Sequence, residues 1–270
     1  LYFYTPNIQD VVTGTQSNFE TSGGFGPNQV STILGLGIFI FFVQLMLNSS
    51  NGILQIINGG LVLFFAYRGL ITFSRGGIYT GVAMILLLLA ILYFQANFQT
   101  KPKIAGIIVL SFLATLAVWS YSSIKTNGLL DKRYANQDAA GREKKSQLSG
   151  REILIESELK MFYENPILGV GVGKNKELRK SQTGIDLATH NEITRMLAEH
   201  GTLGIVGLLI LVITPLYLFL VDRQNILALS FFVFWLLTIN HAAMRLSAPA
   251  FIYALSLLKV YREAPVVHRK

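Results

Sequence analysis

The 270-residue sequence contains no cysteine. This excludes disulfides, thiolate metal sites and cysteine nucleophiles, and it identifies no compartment. Charge is also scarce: 14% of residues are charged and only 15 are acidic. The long apolar runs contain no Asp or Glu at all. That argues against a proton- or sodium-coupled transporter, which keeps carboxylates at membrane depth. No His/Asp/Glu cluster has metal-ligand spacing, so neither a metal nor another cofactor is expected. The chain starts at Leu1 with neither Met nor a signal-peptide pattern, and it reads as the C-terminal part of a longer protein.

Hydrophobic residues make up 51% of the chain. A span needs about 20 mostly apolar residues to cross a hydrocarbon core of roughly 30 Å. Apolar runs of this kind fall at about 28–47, 53–73, 76–95 and 104–123, then at 203–221, 226–244 and, shorter, 247–260. The expected fold is therefore an all-α, polytopic membrane protein with about seven transmembrane helices. Residues 1–27 form a polar segment, 28–123 hold four spans, 124–202 form one large helical loop, 203–261 hold three spans, and 262–270 form a tail. Pro215 is expected to kink the fifth span, which neighbouring helices tolerate.

Lys and Arg in the short loops set the orientation. Lys101 and Lys103, Arg223, and Lys259, Arg262, Arg269 and Lys270 all fall on one side of a seven-span chain, which is therefore cytoplasmic. The N-terminal segment, the Ser74–Arg75–Gly76–Gly77 turn, the large loop and the His241–Arg245 region then share the external face. The net charge of +8 is spread over loops rather than set beside aromatics. It fits membrane topology and anionic lipid-linked ligands better than nucleic acid.

The stretch from Lys125 to Thr202 holds 13 of the 23 Lys/Arg and 11 of the 15 Asp/Glu. Two helices are legible in it. Ser149–Gly150–Arg151–Glu152 fits a capping box, with Ser149 as N-cap. Ile155, Leu159, Phe162 and Tyr163 then form an apolar stripe, and the helix ends near Asn165–Pro166. Thr189–His190–Asn191–Glu192 fits a second box, followed by Ile193, Met196 and Leu197 and a stop at Gly201. Gly204 and Gly207 lead into the next span, where small residues allow close packing.

Four residues stand out as candidates for chemistry. His190 is expected at the first position of its helix, where the dipole keeps an imidazole neutral and able to accept a proton. The competing reading is a histidine packed at a helix start. Arg151 near a helix N-terminus suits a phosphate, unless it snorkels or pairs with a nearby Glu. Arg75 lies in a tight external turn whose glycines let a ligand approach the backbone. Arg68, seven residues earlier on the same helical face, is a charge inside an apolar run, or else it snorkels outward. His241 and Arg245 read as interfacial anchors. The Gly169–Val170–Gly171–Val172–Gly173–Lys174 run completes no nucleotide-binding pattern and reads as a tight turn.

In this order and spacing, several short motifs together resemble the bacterial O-antigen ligase and O-antigen polymerase family. They are Thr72–Phe73–Ser74–Arg75–Gly76–Gly77, Ser149–Gly150–Arg151, Asn165–Pro166–Ile167–Leu168–Gly169–Val170–Gly171, and His190–Asn191–Glu192 with Leu197–Ala198–Glu199–His200–Gly201–Thr202–Leu203–Gly204. The resemblance implies a multi-pass enzyme of the bacterial inner membrane whose periplasmic loop covers the site. Such enzymes take a glycan from undecaprenyl pyrophosphate and pass it to a sugar hydroxyl. In ligases the acceptor is lipid A–core; in polymerases it is another lipid-linked glycan. Motif to motif, the family's loop histidine falls on His190 and its two arginines on Arg75 and Arg151; Arg68, from its place inside an apolar run alone, is a weaker third candidate for binding the substrate. Two alternatives remain open: an O-antigen or exopolysaccharide polymerase, and an exporter of polysaccharide or lipid without covalent chemistry. Membrane lipids are expected partners and nucleic acid is not.

Overall fold

The computed structural model describes residues 7–144, 151–184, 186–241 and 246–260. Ser149, Gly150, Arg245 and the tail 262–270 lie outside the described residues. In chain order the helices are α1 (Ile8–Val11), α2 (Pro27–Val43, ending in a π-helical turn over Gln44–Asn48), α3 (Gly52–Leu70), α4 (Arg75–Gln95) and α5 (Lys101–Lys125). They continue with α6 (Leu129–Tyr134), α7 (Glu152–Glu164), α8 (Lys174–Thr183), α9 (Glu192–His200), α10 (Thr202–Val221), α11 (Ala228–His241) and α12 (Ala248–Ser256). Among the described residues there is no strand, only one antiparallel bridge between Gln137 and Glu143.

Five helices are long and apolar enough to cross a membrane: Pro27–Asn48, Gly52–Leu70, Arg75–Gln95, Lys101–Lys125 and Thr202–Val221. The chain is a multi-pass membrane protein. The sixth and seventh expected spans correspond to α11 and α12. As described they have 14 and 9 residues, short of the roughly 20 that a crossing needs. Helix α10 runs unbroken through Pro215.

Helices α2 and α4 form the centre. They meet at glycines: a Cβ on Gly35 would overlap the Gly77 carbonyl, and one on Gly77 would overlap the backbone of Ser31. Backbones this close replace side-chain packing with dense main-chain contact, the usual small-residue solution in membranes. Phe39, Met84, Leu88, Phe234 and Ile252 then join α2, α4, α11 and α12 in one buried cluster, which the Ser230 hydroxyl ties further by donating to the Met84 carbonyl at 3.0 Å.

The polar loop folds on its own logic. Helix α7 buries Leu154, Ser157, Glu158 and Met161. The stripe expected from the sequence is rotated off this face, with Ile155, Leu159 and Phe162 half-buried and Tyr163 74% exposed. The reason is Glu158, a fully buried carboxylate. It accepts from Arg179 Nη1 at 3.1 Å, Asn175 Nδ2 at 3.2 Å and Thr194 Oγ1 at 2.6 Å. A buried charge is tolerated when paired and fully hydrogen-bonded, so here polarity marks the inside. The network joins α7, α8 and α9.

Candidate functional site

The turn between α3 and α4 is set by polar side chains rather than by a tight-turn sequence. Thr72 Oγ1 donates to the Gly69 carbonyl at 2.7 Å and accepts from the Ser74 amide at 3.2 Å. Phe73 is held at φ 58, a left-handed conformation that is a genuine outlier for a bulky residue. Residues of the N-terminal segment close over this turn. The Asn18 amide donates to the Thr72 carbonyl at 2.9 Å, and the Thr21 hydroxyl donates to the Ile71 carbonyl at 2.7 Å. Arg75 follows as the first residue of α4, and its Nη1 donates to the Arg133 carbonyl at 3.4 Å.

Gly76 has a specific reason to be glycine: a Cβ there would stand 2.5 Å from Cδ2 of His241. The imidazole lies on that backbone, with Nδ1 donating to the Leu237 carbonyl at 2.8 Å and Nε2 lying 3.2 Å from the Thr32 hydroxyl. Arg151 Nη1 donates to the carbonyl of the same His241 at 3.2 Å. Arg151 is the N-cap of α7 rather than its second residue, since the helix starts at Glu152. Arg75 and Arg151, 76 positions apart in the chain, are thus brought to one place by the C-terminal end of α11.

Arg133, on α6, stands between them. Burial, then the charges of Arg75 and Arg151, push its guanidinium below the usual arginine range, while Tyr134 and Tyr79 act in the opposite sense. Burial, then Arg133 and Arg75, likewise push Lys144 down, and its Nζ donates to the Thr15 hydroxyl at 2.8 Å. Tyr134 packs edge-on against Trp119 and Tyr79, with centroids 4.7 and 5.7 Å apart. The result is a basic cluster with an aromatic wall.

His190 enters differently from the sequence expectation. The N-cap of α9 is Asn191, whose Oδ1 accepts from the amides of Ile193 at 2.9 Å and Thr194 at 3.3 Å. His190 precedes the cap and is not the first helical residue. Two competitors undo the expected box. Asn caps at least as well as Thr, and Glu192, which would reach back, pairs instead with Arg195. Thr189 takes a smaller part, accepting from the Asn191 amide at 3.3 Å. Outside the helix the ring feels less of the dipole, whose field fades beyond the first turn. His190 is half-buried, and Ile193, three residues further on, packs on Phe232, Trp235 and Ile239 of α11.

Two further contacts hold the segment before α9 and the end of α9 in place. Arg179 Nη2 donates to the Leu187 carbonyl, three residues before His190. The Pro166–Gly173 turn docks on the far end of α9. The amides of Val170 and Gly171 donate to the carbonyls of Ala198 at 2.8 Å and Glu199 at 3.1 Å, and the Gly173 amide donates to Glu199 Oε1 at 3.0 Å. The two sequence motifs at 165–171 and 197–204 are one structural unit.

Arg68 is buried, 3% exposed, and its Nη2 donates to the Thr21 carbonyl at 3.3 Å. It does not snorkel; it ties α3 to the N-terminal segment beneath the turn. Arg133, the position of His241 over Gly76 and the Glu158–Arg179 pair were not found by sequence reasoning. For Arg133 the only local signal is a cation beside Tyr134. Among the described residues no group of three His, Asp or Glu stands close enough to hold a metal ion.

Comparison with known proteins places the chain in a family. The O-antigen ligase family matches residues 59–209, more than half of the chain, from α3 into α10, with Arg68, Arg75, Arg133, Arg151 and His190 all inside. No curated protein and no solved structure matches. The chain belongs to the O-antigen ligase family.

Proposed function

We propose that the chain is an inverting, metal-independent glycosyltransferase that moves a glycan from undecaprenyl pyrophosphate to a sugar hydroxyl of lipid A–core, on the periplasmic side of the inner membrane. The observation that supports this best is the convergence of Arg75 and Arg151 on the C-terminal end of α11, one beside Gly76 and the other on the His241 carbonyl. In this reading their guanidiniums hold the diphosphate and offset its charge as it leaves. His190 takes the proton of the acceptor hydroxyl. The hydroxyl oxygen attacks the anomeric carbon from the face opposite the diphosphate, the old C–O bond breaks, and undecaprenyl pyrophosphate departs. Arg68 serves the site by holding the N-terminal segment at the turn.

The test is transfer by the purified chain in a reconstituted membrane. Removing a positioned base costs about 10²- to 10⁴-fold in rate, so His190→Ala is expected to nearly abolish transfer while donor binding persists. His190→Gln accepts and donates hydrogen bonds but takes no proton, so it is expected to be as slow as Ala. Full activity in His190→Ala rules the mechanism out. A deletion strain separates ligase from polymerase: lost attachment to lipid A marks the first, shortened chains the second.

A further inference from the structure

Arg133 is anchored with a specificity that the reading above does not use. Its residue is 9% exposed. Nε donates to the carbonyl of the strained Phe73 at 2.9 Å, and Nη2 lies 3.5 Å from the Ser17 hydroxyl. These acceptors are neutral. Among the described residues no carboxylate pairs with this guanidinium, and the neighbouring cationic charges are Arg75, Arg151 and Lys144. A buried cation with neutral acceptors and like-charged neighbours is unfavourable by itself. The same arrangement becomes favourable when a multivalent anion enters, because each added guanidinium then contributes a charge-assisted bond. Two nitrogens fix the fork in place, and Nη1 is left over for a ligand.

We propose that Arg133 is a third phosphate-binding residue of this site, with Nη1 directed to the diphosphate that Arg75 and Arg151 also hold. The inference rests on the pyrophosphate-linked donor proposed above. It gives the site three guanidiniums from three separate elements: the start of α4, α6 and the N-cap of α7. It also gives the strained Phe73 a role, because its carbonyl aims the Arg133 fork.

The experiment titrates inorganic pyrophosphate into the purified full chain in detergent, with melting temperatures read alongside. Arg133→Gln is expected to weaken binding by about 10- to 100-fold, the range of a charge-assisted hydrogen bond. Arg133→Lys keeps the cation without the fork and is expected to fall between, about 2- to 10-fold weaker than wild type. Wild-type affinity in either variant overturns the proposal. So does a Lys variant as weak as Gln, because both lose the Phe73 bond and Arg133 would then be only a brace for the turn. Where Gln does not fold, the Lys variant decides alone: a partial loss supports the proposal, and an unchanged or abolished affinity refutes it. No pyrophosphate binding by the wild-type chain would instead sink the donor reading beneath it.

Discussion

Replacing Glu158 by Leu puts the organisation of the loop to its most direct test. The carboxylate has no exposure and serves three donors, of which Arg179 is also fully buried. Removing one partner of a buried ion pair costs about 3–5 kcal/mol because the other charge stays behind. The Asn175 amide and the Thr194 hydroxyl lose their acceptor as well, at about 1 kcal/mol or more each. The leucine side chain returns part of this through apolar burial, so a net loss of about 4 kcal/mol is expected for the α7–α8–α9 unit. At about 1.4 kcal/mol per factor of ten, that raises the open population of α8 roughly 10³-fold. Trypsin reports it directly, since Lys174, Lys176 and Lys180 lie exposed on that helix. Cleavage of the folded full chain there is expected to accelerate in proportion. The double variant Glu158→Leu/Arg179→Met removes both charges together and is expected to return close to wild type, as buried pairs replaced by apolar residues often do. A single variant cut within threefold of the wild-type rate, or a double variant cut as fast as the single, would refute the reasoning.

Other expectations follow from the same geometry. Arg75→Lys and Arg151→Lys keep the charge but lose the planar fork; each is expected to cut transfer at least ~10-fold, a loss of one charge-assisted bond, at unchanged protein levels. Gly169→Ala forces an alanine to φ +68 and sets a Cβ against the backbone of Glu199. The left-handed conformation alone costs about 1–2 kcal/mol, so the turn should release α9, visible as faster amide exchange at Val170 and Gly171. Gly77→Ala drives a methyl into the Ser31 backbone and is expected to lower the folded yield in the membrane. For the proposed sidedness, a Cys at Ser181 should react with an impermeant reagent from outside and one at Thr100 should not; the reverse pattern would place the site on the cytoplasmic side.

What the sequence disclosed were the features that periodicity and composition carry. Five of the seven apolar runs appear as helices long enough to cross a membrane, and the end of α7 at Asn165–Pro166 and the glycine stop at Gly201 appear where expected. The failures have physical causes. Helix α8 is almost wholly polar, so no apolar stripe announces it, and it is held instead by Asn175 and Arg179 on Glu158. The α7 stripe was misjudged because a paired carboxylate occupies the buried face, an outcome no hydropathy pattern encodes. The α9 cap moved from Thr189 to Asn191 because two good capping residues stand two apart and the deciding partner, Arg195, lies downstream. Arg133 acts through residues 17, 73 and 75, and a single sequence holds no trace of such distant pairings. The candidate arginines and histidine themselves were legible through their motifs; how they assemble was not.

The seating of His241 over Gly76, with Arg151 on its carbonyl, has a consequence for biogenesis. Ribosomes deliver this chain from the α2 end, so Arg75 and Arg151 are made well before residue 241. Until α11 slots in beside α4, the Arg151 bond to the His241 carbonyl cannot form and Gly76 lacks its imidazole cover. The pairing of the Arg75 turn and Arg151 at this end of α11 is thus completed late, with the insertion of α11.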